Sequence, residues 1–185
     1  MKIAIVGAGA IGGLLGARLS LSGQDVALIA RNRNLLAIEQ HGLRLLEDDG
    51  RELHAPRVRA YADGSDAGPQ DAVLLAVKAH QVKDVLPAMQ GLLGPETAVV
   101  TMSNGLPWWY FQRLPGPYEN RVLESVDPGG AIAAAIDPGR VIGSVVELGR
   151  ITGVPTPSIE AVHHLAALLS RTLAARGTGL ALGGG

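Results

Sequence analysis

Cysteine is absent from the 185 residues, and that one absence removes disulfides, thiolate metal sites and cysteine nucleophiles together. A reducing, cytoplasmic setting fits such a chain. An excess of charge is missing too: 16 Lys+Arg stand against 17 Asp+Glu, a net charge of −1. Nucleic acid and anionic membranes are recognised through a basic excess that neutralises phosphates, so neither is an expected partner. Aromatic residues are few. Two Trp, three Tyr and one Phe are present, and four of them stand in one run, Trp108-Trp109-Tyr110-Phe111. A long apolar run is also lacking. The stretch from Ile3 to Ala17 after Lys2 superficially resembles a signal peptide. Gly7, Gly9, Gly12, Gly13 and Gly16 interrupt it, and Arg18 ends it short of the roughly 20 residues that a spanning helix needs. The histidines form no metal set. His41, His54 and His80 are scattered, and adjacent His163-His164 point in different directions on a helix, so no metal is expected.

What is present is enough apolar material for a core, 47% of the chain against 18% charged residues, which excludes a disordered chain. Ile3 to Val6 reads as a buried parallel strand. A glycine-rich turn follows, then a helix from Ala10 to Ser22 in which Ile11, Leu14, Leu15 and Leu19 recur at helical spacing, ended by Gly23. Asp25–Ala30 is a second strand, and Asn34–His41 a short helix stopped by Gly42. Leu43–Leu46 and Glu52–Ala55 flank a turn and read as a hairpin. Asp71–Val77 is a strand, Gln81–Leu93 a helix and Thr97–Met102 a strand. Parallel strands need crossover helices, so this alternation predicts an α/β fold: a Rossmann-type doubly wound, mostly parallel sheet with flanking helices. Val122–Val126 and Arg140–Val146 read as two further strands. Thr156-Pro157 then opens a C-terminal helix that ends near Arg176, followed by a frayed Gly177–Gly185 tail.

Gly7-Ala8-Gly9-Ala10-Ile11-Gly12 matches G-x-G-x-x-G and lies where that motif carries meaning, after a strand and opening a helix. The first glycine permits the turn, the second lets the backbone approach a pyrophosphate, and the third lets helix and strand pack closely. The alternative is a Gly/Ala turn that packs tightly and binds nothing. The second strand ends at Ala30 without the Asp or Glu that would take a ribose 2′-hydroxyl. Arg31-Asn32-Arg33 follows instead. A guanidinium forks onto a phosphate, so NADP(H) is favoured over NAD, unless Arg31 and Arg33 are only solvated loop residues. Lys78 and Asn104 fall at two further strand ends, where open α/β sheets bind ligands. Each is a candidate site residue, and each is also compatible with a plain loop.

These residues together resemble one family. The glycine turn, Arg31, Val77-Lys78-Ala79-His80-Gln81 and Asn104-Gly105-Leu106-Pro107-Trp108-Trp109-Tyr110-Phe111 are similar to the ketopantoate (2-dehydropantoate) reductases, from Met1 to about Val146. The resemblance implies NADPH-dependent reduction of a small 2-oxo acid, ketopantoate, to pantoate, toward pantothenate and coenzyme A. It implies Gly7, Gly9 and Gly12, with Ala8, Ala10 and Ile11 between them, at the pyrophosphate, and Arg31 at the 2′-phosphate. Lys78 would lie by the cofactor, and Asn104 near the nicotinamide and substrate.

Glu147 to Ala175 resembles a different part of the same family, the entry to the last helix of its C-terminal domain. The implied division is 1–146 as the NADP-binding domain, 147–176 as a remnant of the helical domain, and 177–185 as tail. The resemblance further implies that the intervening region supplies a proton-donating lysine and a substrate-holding carboxylate. Glu147–Gly185 contains no lysine. Three functions therefore stand: a ketopantoate reductase with impaired catalysis, an NADP-binding module without turnover, or a related dehydrogenase of another small oxo or hydroxy acid. Four consecutive aromatics that cannot all face one core predict an exposed apolar patch and self-association, with a homodimer as one form.

Overall fold

A computed structural model of the chain describes residues 1–47, 49–103 and 106–142. Met1–Val141 form one compact unit. Its elements are β1 (Lys2–Val6), α1 (Ala10–Leu21), β2 (Asp25–Ile29), α2 (Asn32–His41), β3 (Leu43–Leu46), β4 (Glu52–Ala55), β5 (Arg59–Tyr61), β6 (Ala72–Leu75), α3 (Val82–Met89), β7 (Ala98–Thr101) and α4 (Ala131–Ala135). The two-residue β8 (Val141–Ile142) follows at its end. Six strands form a sheet in the order β5-β2-β1-β6-β7-β8, and the β1–β2, β1–β6, β2–β5 and β6–β7 pairs are all parallel. This is the mostly parallel, Rossmann-like sheet with flanking helices that the alternation predicts. β3 and β4 form the expected antiparallel hairpin.

Side chains alternate across a strand, and both faces of this sheet are dry. Ala4, Val6, Ala27, Ile29, Val73, Leu75 and Val99 face a core closed by Val82, Leu86 and Met89 of α3 and by Ile132 of α4. Ile3, Ile5, Val26 and Leu28 face a second core closed by Ala17 of α1 and Ile38 of α2. Burial on both faces explains why these strands read as unbroken apolar runs rather than alternating ones.

Helix α1 lies where its spacing places it, and Leu15 and Leu19 pack against the core, yet its most deeply buried residues are small ones. Gly12, Gly16, Ala17 and Ser20 are the buried residues, while Ile11 is 51% exposed. A Cβ at Gly16 would come within 3.2 Å of Leu28 and 3.5 Å of Ile5. Small residues let the helix sit directly on the sheet, and the larger side chains flank that contact.

One strand was missed and three readings of elements need correction. Strand β5, the edge partner of β2, was not anticipated, since three residues carry no periodicity. Gln81–Leu93 is not one helix: a 3-10 turn at Ala79–Gln81 precedes α3 and another at Gln90–Leu92 follows it. Val122–Val126 is not a strand. The N–H groups of Val126 and Asp127 both donate to the Leu123 carbonyl at 2.8 Å, a tight turn, and Asp127 then caps α4 by accepting from Ile132 at 2.8 Å and Ala133 at 3.0 Å. Local carboxylate-to-backbone bonds took the place of a ladder. Arg140 belongs to a 3-10 turn at Pro138–Arg140. Its guanidinium donates to the carbonyls of Gly94 and Thr97, tying this segment to the start of β7.

The aromatic run is less exposed than expected. Trp108 is only 4% exposed and joins the core with Ile132 and Ile136, and Trp109, Tyr110 and Phe111 are half-buried. The segment is a series of turns, not a helix, so neighbouring rings diverge. Trp108 and Trp109 meet edge to face at 4.4 Å, as do Tyr110 and Phe111 at 5.0 Å. The helix expected from Pro157, the tail and the 146/147 boundary lie outside the described residues.

Candidate functional site

The parallel register brings the carboxyl ends of the strands level: Val6 pairs with Ile29 and with Leu75, Ile29 with Tyr61, and Leu75 with Thr101. The chain order of the strands reverses between β1 and β6, so the crevice of a doubly wound sheet opens there. Gly7 leaves β1 at this point. One cavity at this edge is lined by Gly7, Ala8, Gly9, Arg31, Asn34 and Gln81, with Asp84 and Val85 of α3 on its far side.

The three glycines of the motif answer to different constraints. Gly7 has φ +109°, and a Cβ there would meet the Ala76 carbonyl oxygen at 2.9 Å. A Cβ on Gly12 would overlap the Gly7 carbonyl outright, 1.9 Å away. Both positions are demanded by the protein's own packing, so a turn that binds nothing would account for them. Gly9 is different. Its φ of −78° and ψ of −170° suit any residue, and a Cβ would find no atom within 4 Å. Nothing in the described chain requires glycine there, whereas a ligand approaching the backbone would.

Gly9 is also the N-cap of α1, where no side chain caps the helix and no acidic residue occupies the first turn. The Gly13 N–H donates to the Gly9 carbonyl at 2.8 Å, but among the described residues Ala10, Ile11 and Gly12 donate to no main-chain partner. Unsatisfied N–H groups at the positive end of a twelve-residue helix suit an anion. The residues present therefore fit a pyrophosphate.

Arg31 extends from the end of β2, and its Nη2 donates to the Asp84 main-chain carbonyl at 3.0 Å across the cavity. No carboxylate occupies the end of β2, where Ile29 and Ala30 stand buried. Arg33 is exposed on the first turn of α2. Lys78 is exposed beyond β6. Its N–H donates to the Gln81 Oε1 at 3.3 Å while Gln81 N–H donates to the Lys78 carbonyl at 2.8 Å. Lys78 does not line the cavity, though its neighbour Val77 does. Asn104 lies outside the described residues.

Sequence reasoning missed Asn34, Asp84 and Gln81 as cavity residues. Asn34 lies three residues past Arg31 in the same loop-to-helix turn, which was a usable signal. Asp84 enters from α3, 53 residues further on, and no local pattern announces it. Among the described residues no group of three or more His, Asp or Glu side chains gathers as a metal set, and no helix is long and apolar enough to cross a membrane.

The family model described as ketopantoate reductase PanE/ApbA matches residues 3–108. A 2-dehydropantoate 2-reductase of Mesorhizobium japonicum is 54% identical over 133 residues, 71% of this chain and 40% of the relative. The crystal structure of a ketopantoate reductase homologue from Ralstonia solanacearum MolK2 superposes with a TM-score of 0.71 at 48% identity, covering 77% of this chain and 43% of that one. A D-mandelate dehydrogenase solved with NADH and anilino(oxo)acetate is 33% identical with a TM-score of 0.52, over 58% of this chain and 35% of that one. The chain thus spans between about a third and two fifths of the length of the curated relatives it matches. With a family model matched over more than half its residues, the chain belongs to the ketopantoate reductase PanE/ApbA family.

Proposed function

We propose that this chain binds NADP(H) at the Gly7–Gly12 turn and that the function of its fold is NADPH-dependent reduction of a small 2-oxo acid, ketopantoate, to pantoate. The observation that carries the cofactor half is the open space at Gly9, a glycine that the protein's own packing does not need. Ala8, Gly9 and the N–H groups of Ala10, Ile11 and Gly12 hold the pyrophosphate, assisted by the α1 dipole. Arg31 gives up its bond to the Asp84 carbonyl and forks onto the 2′-phosphate, a charge-assisted contact. NADPH, when bound, supplies the hydride. Lys78 stands by the cofactor at the end of β6, and Asn104 is assigned to the nicotinamide and substrate.

Family likeness supports the substrate class, and the 54% identity to a 2-dehydropantoate 2-reductase favours ketopantoate within it. Reduction also needs the carbonyl polarised as charge develops on its oxygen. On our reading residues 1–146 are the cofactor domain, 147–176 are a remnant of the helical domain and 177–185 are a tail. The region that would provide the proton donor is absent between them, so the 185-residue chain binds cofactor but turns over slowly. Cytoplasmic location fits this metabolic role. A second reading, a dehydrogenase of another 2-oxo acid, is favoured by the likeness to D-mandelate dehydrogenase.

Titration of the chain with NADPH and NADH, followed by intrinsic fluorescence, tests the proposal. NADPH binds more tightly, and Arg31→Ala removes most of the difference, about 1.5–3 kcal/mol for one charged contact. Equal affinities in the unmutated chain overturn the NADP(H) assignment. Rapid ketopantoate-dependent NADPH oxidation by the 185-residue chain, lost on Lys78→Ala or Asn104→Ala, overturns the claim of impaired catalysis.

A further inference from the structure

Of the main-chain carbonyls in the glycine turn, one is held by a side chain from another element. The Ala8 carbonyl accepts from Asn34 Nδ2 at 3.2 Å, and among the described residues no main-chain N–H donates to it. Asn34 lies 26 residues away, on the first turn of α2. It reaches the turn because the chain bends sharply after β2: Asn32 has φ +53°, the left-handed region that asparagine tolerates better than most residues.

The consequence follows from peptide geometry. In a trans peptide the carbonyl oxygen of one residue and the N–H of the next lie in one plane and point opposite ways. All described peptides are trans. Fixing the Ala8 carbonyl therefore fixes the direction of the Gly9 N–H, which belongs to the same peptide plane. If that plane rotated, a carbonyl oxygen would replace an N–H at a place meant for an anion. The side-chain amide can supply this restraint and an aliphatic or carboxylate side chain cannot, because the carbonyl needs a donor.

Resting on the dinucleotide reading above, we propose that Asn34 is a positioning residue that pre-sets the Ala8–Gly9 peptide for the pyrophosphate and couples the Arg31 loop to the glycine turn. Its role differs from that of Arg31. Arg31 distinguishes the two nicotinamide dinucleotides, whereas Asn34 serves the part they share. Asn34 is exposed and sits on a helix, so its replacement by alanine, a better helix former, leaves stability nearly unchanged.

The test compares Asn34→Ala and Asn34→Gln with the unmutated chain. NADPH and NADH affinities and the Tm are measured for each. Asn34→Ala weakens both cofactors by the same factor, about three- to tenfold for one neutral hydrogen bond. It leaves the NADPH:NADH ratio and the Tm unaltered. Asn34→Gln, which keeps an amide donor, recovers most of the affinity. A loss confined to NADPH would make Asn34 a direct ligand of the 2′-phosphate and overturn the inference. Unchanged affinities in Asn34→Ala would overturn it as well. Failure of the unmutated chain to bind either cofactor would instead overturn the dinucleotide reading on which it rests.

Discussion

Residues 1–101 and 106–142 close the same core, but they do it by different means. In the first stretch, strand and helix alternate and the core is made of repeating positions: Val6, Ile29, Leu75 and Val99 on one face, Ile5 and Leu28 on the other. In the second, the regular elements are a five-residue helix and a two-residue strand, yet Trp108, Ile132 and Ile136 are all buried in the core. The second stretch is held by single groups: a buried indole, the Asp127 carboxylate on the α4 N–H groups, and the Arg140 guanidinium on the Gly94 and Thr97 carbonyls. Where many residues share a task, loss of one is felt locally. Where one residue carries it, the segment follows that residue.

The largest effect belongs to the first stretch and is steric. Gly12→Ala would put a Cβ into the Gly7 carbonyl, and two backbones cannot both give way. Destabilisation by more than about 4 kcal/mol is expected, read in urea unfolding as loss of most of the folded population. Unfolding at ordinary urea concentrations would break the claim that α1 sits directly on the sheet. Next comes Trp108→Ala. Truncation of a buried Trp leaves a cavity and costs about 3–5 kcal/mol, and a loss below 1 kcal/mol by the same measurement would show that the turn segment folds independently of its indole. Asp127→Ala removes a buried cap and leaves two α4 N–H groups unpaired, for about 1–2 kcal/mol. The expected signature is early hydrogen exchange confined to residues 123–136. Exchange spread evenly over the sheet would contradict the single-group account.

The same contrast explains what could be read from the sequence. The fold of the first stretch was legible because burial on both faces of a parallel sheet leaves apolar runs, and because glycine, proline and turn residues mark the breaks. β5 escaped because three residues cannot display a period, and it is recognisable only by its pairing with β2. The helix of α1 was legible; that its most deeply buried positions are Gly12, Gly16 and Ala17, with Leu15 and Leu19 packed beside them, was not. In the second stretch, Val122–Val126 looked like a strand by composition, and the deciding interactions were bonds that the Glu124 and Asp127 carboxylates accept from the N–H groups of Gly129 and Ile132. The glycine turn and Arg31 were readable because they are local patterns. Asn34 had a local signal in its closeness to Arg31, whereas Asp84 and Gln81 joined the cavity only through the fold.

Gly7, Gly9 and Gly12 look equivalent in the motif, and the structure separates them into two demanded by packing and one left free. Gly9→Ala is therefore the most direct test of the central claim, that this turn is built around a ligand. The substitution meets no atom within 4 Å and an ordinary φ, so stability should stay within about 0.5 kcal/mol of the unmutated chain. NADPH affinity, measured by titration on the same sample, should fall at least about tenfold, a loss of some 1.4 kcal/mol. A folded Gly9→Ala protein that binds NADPH as tightly as the parent would contradict the account.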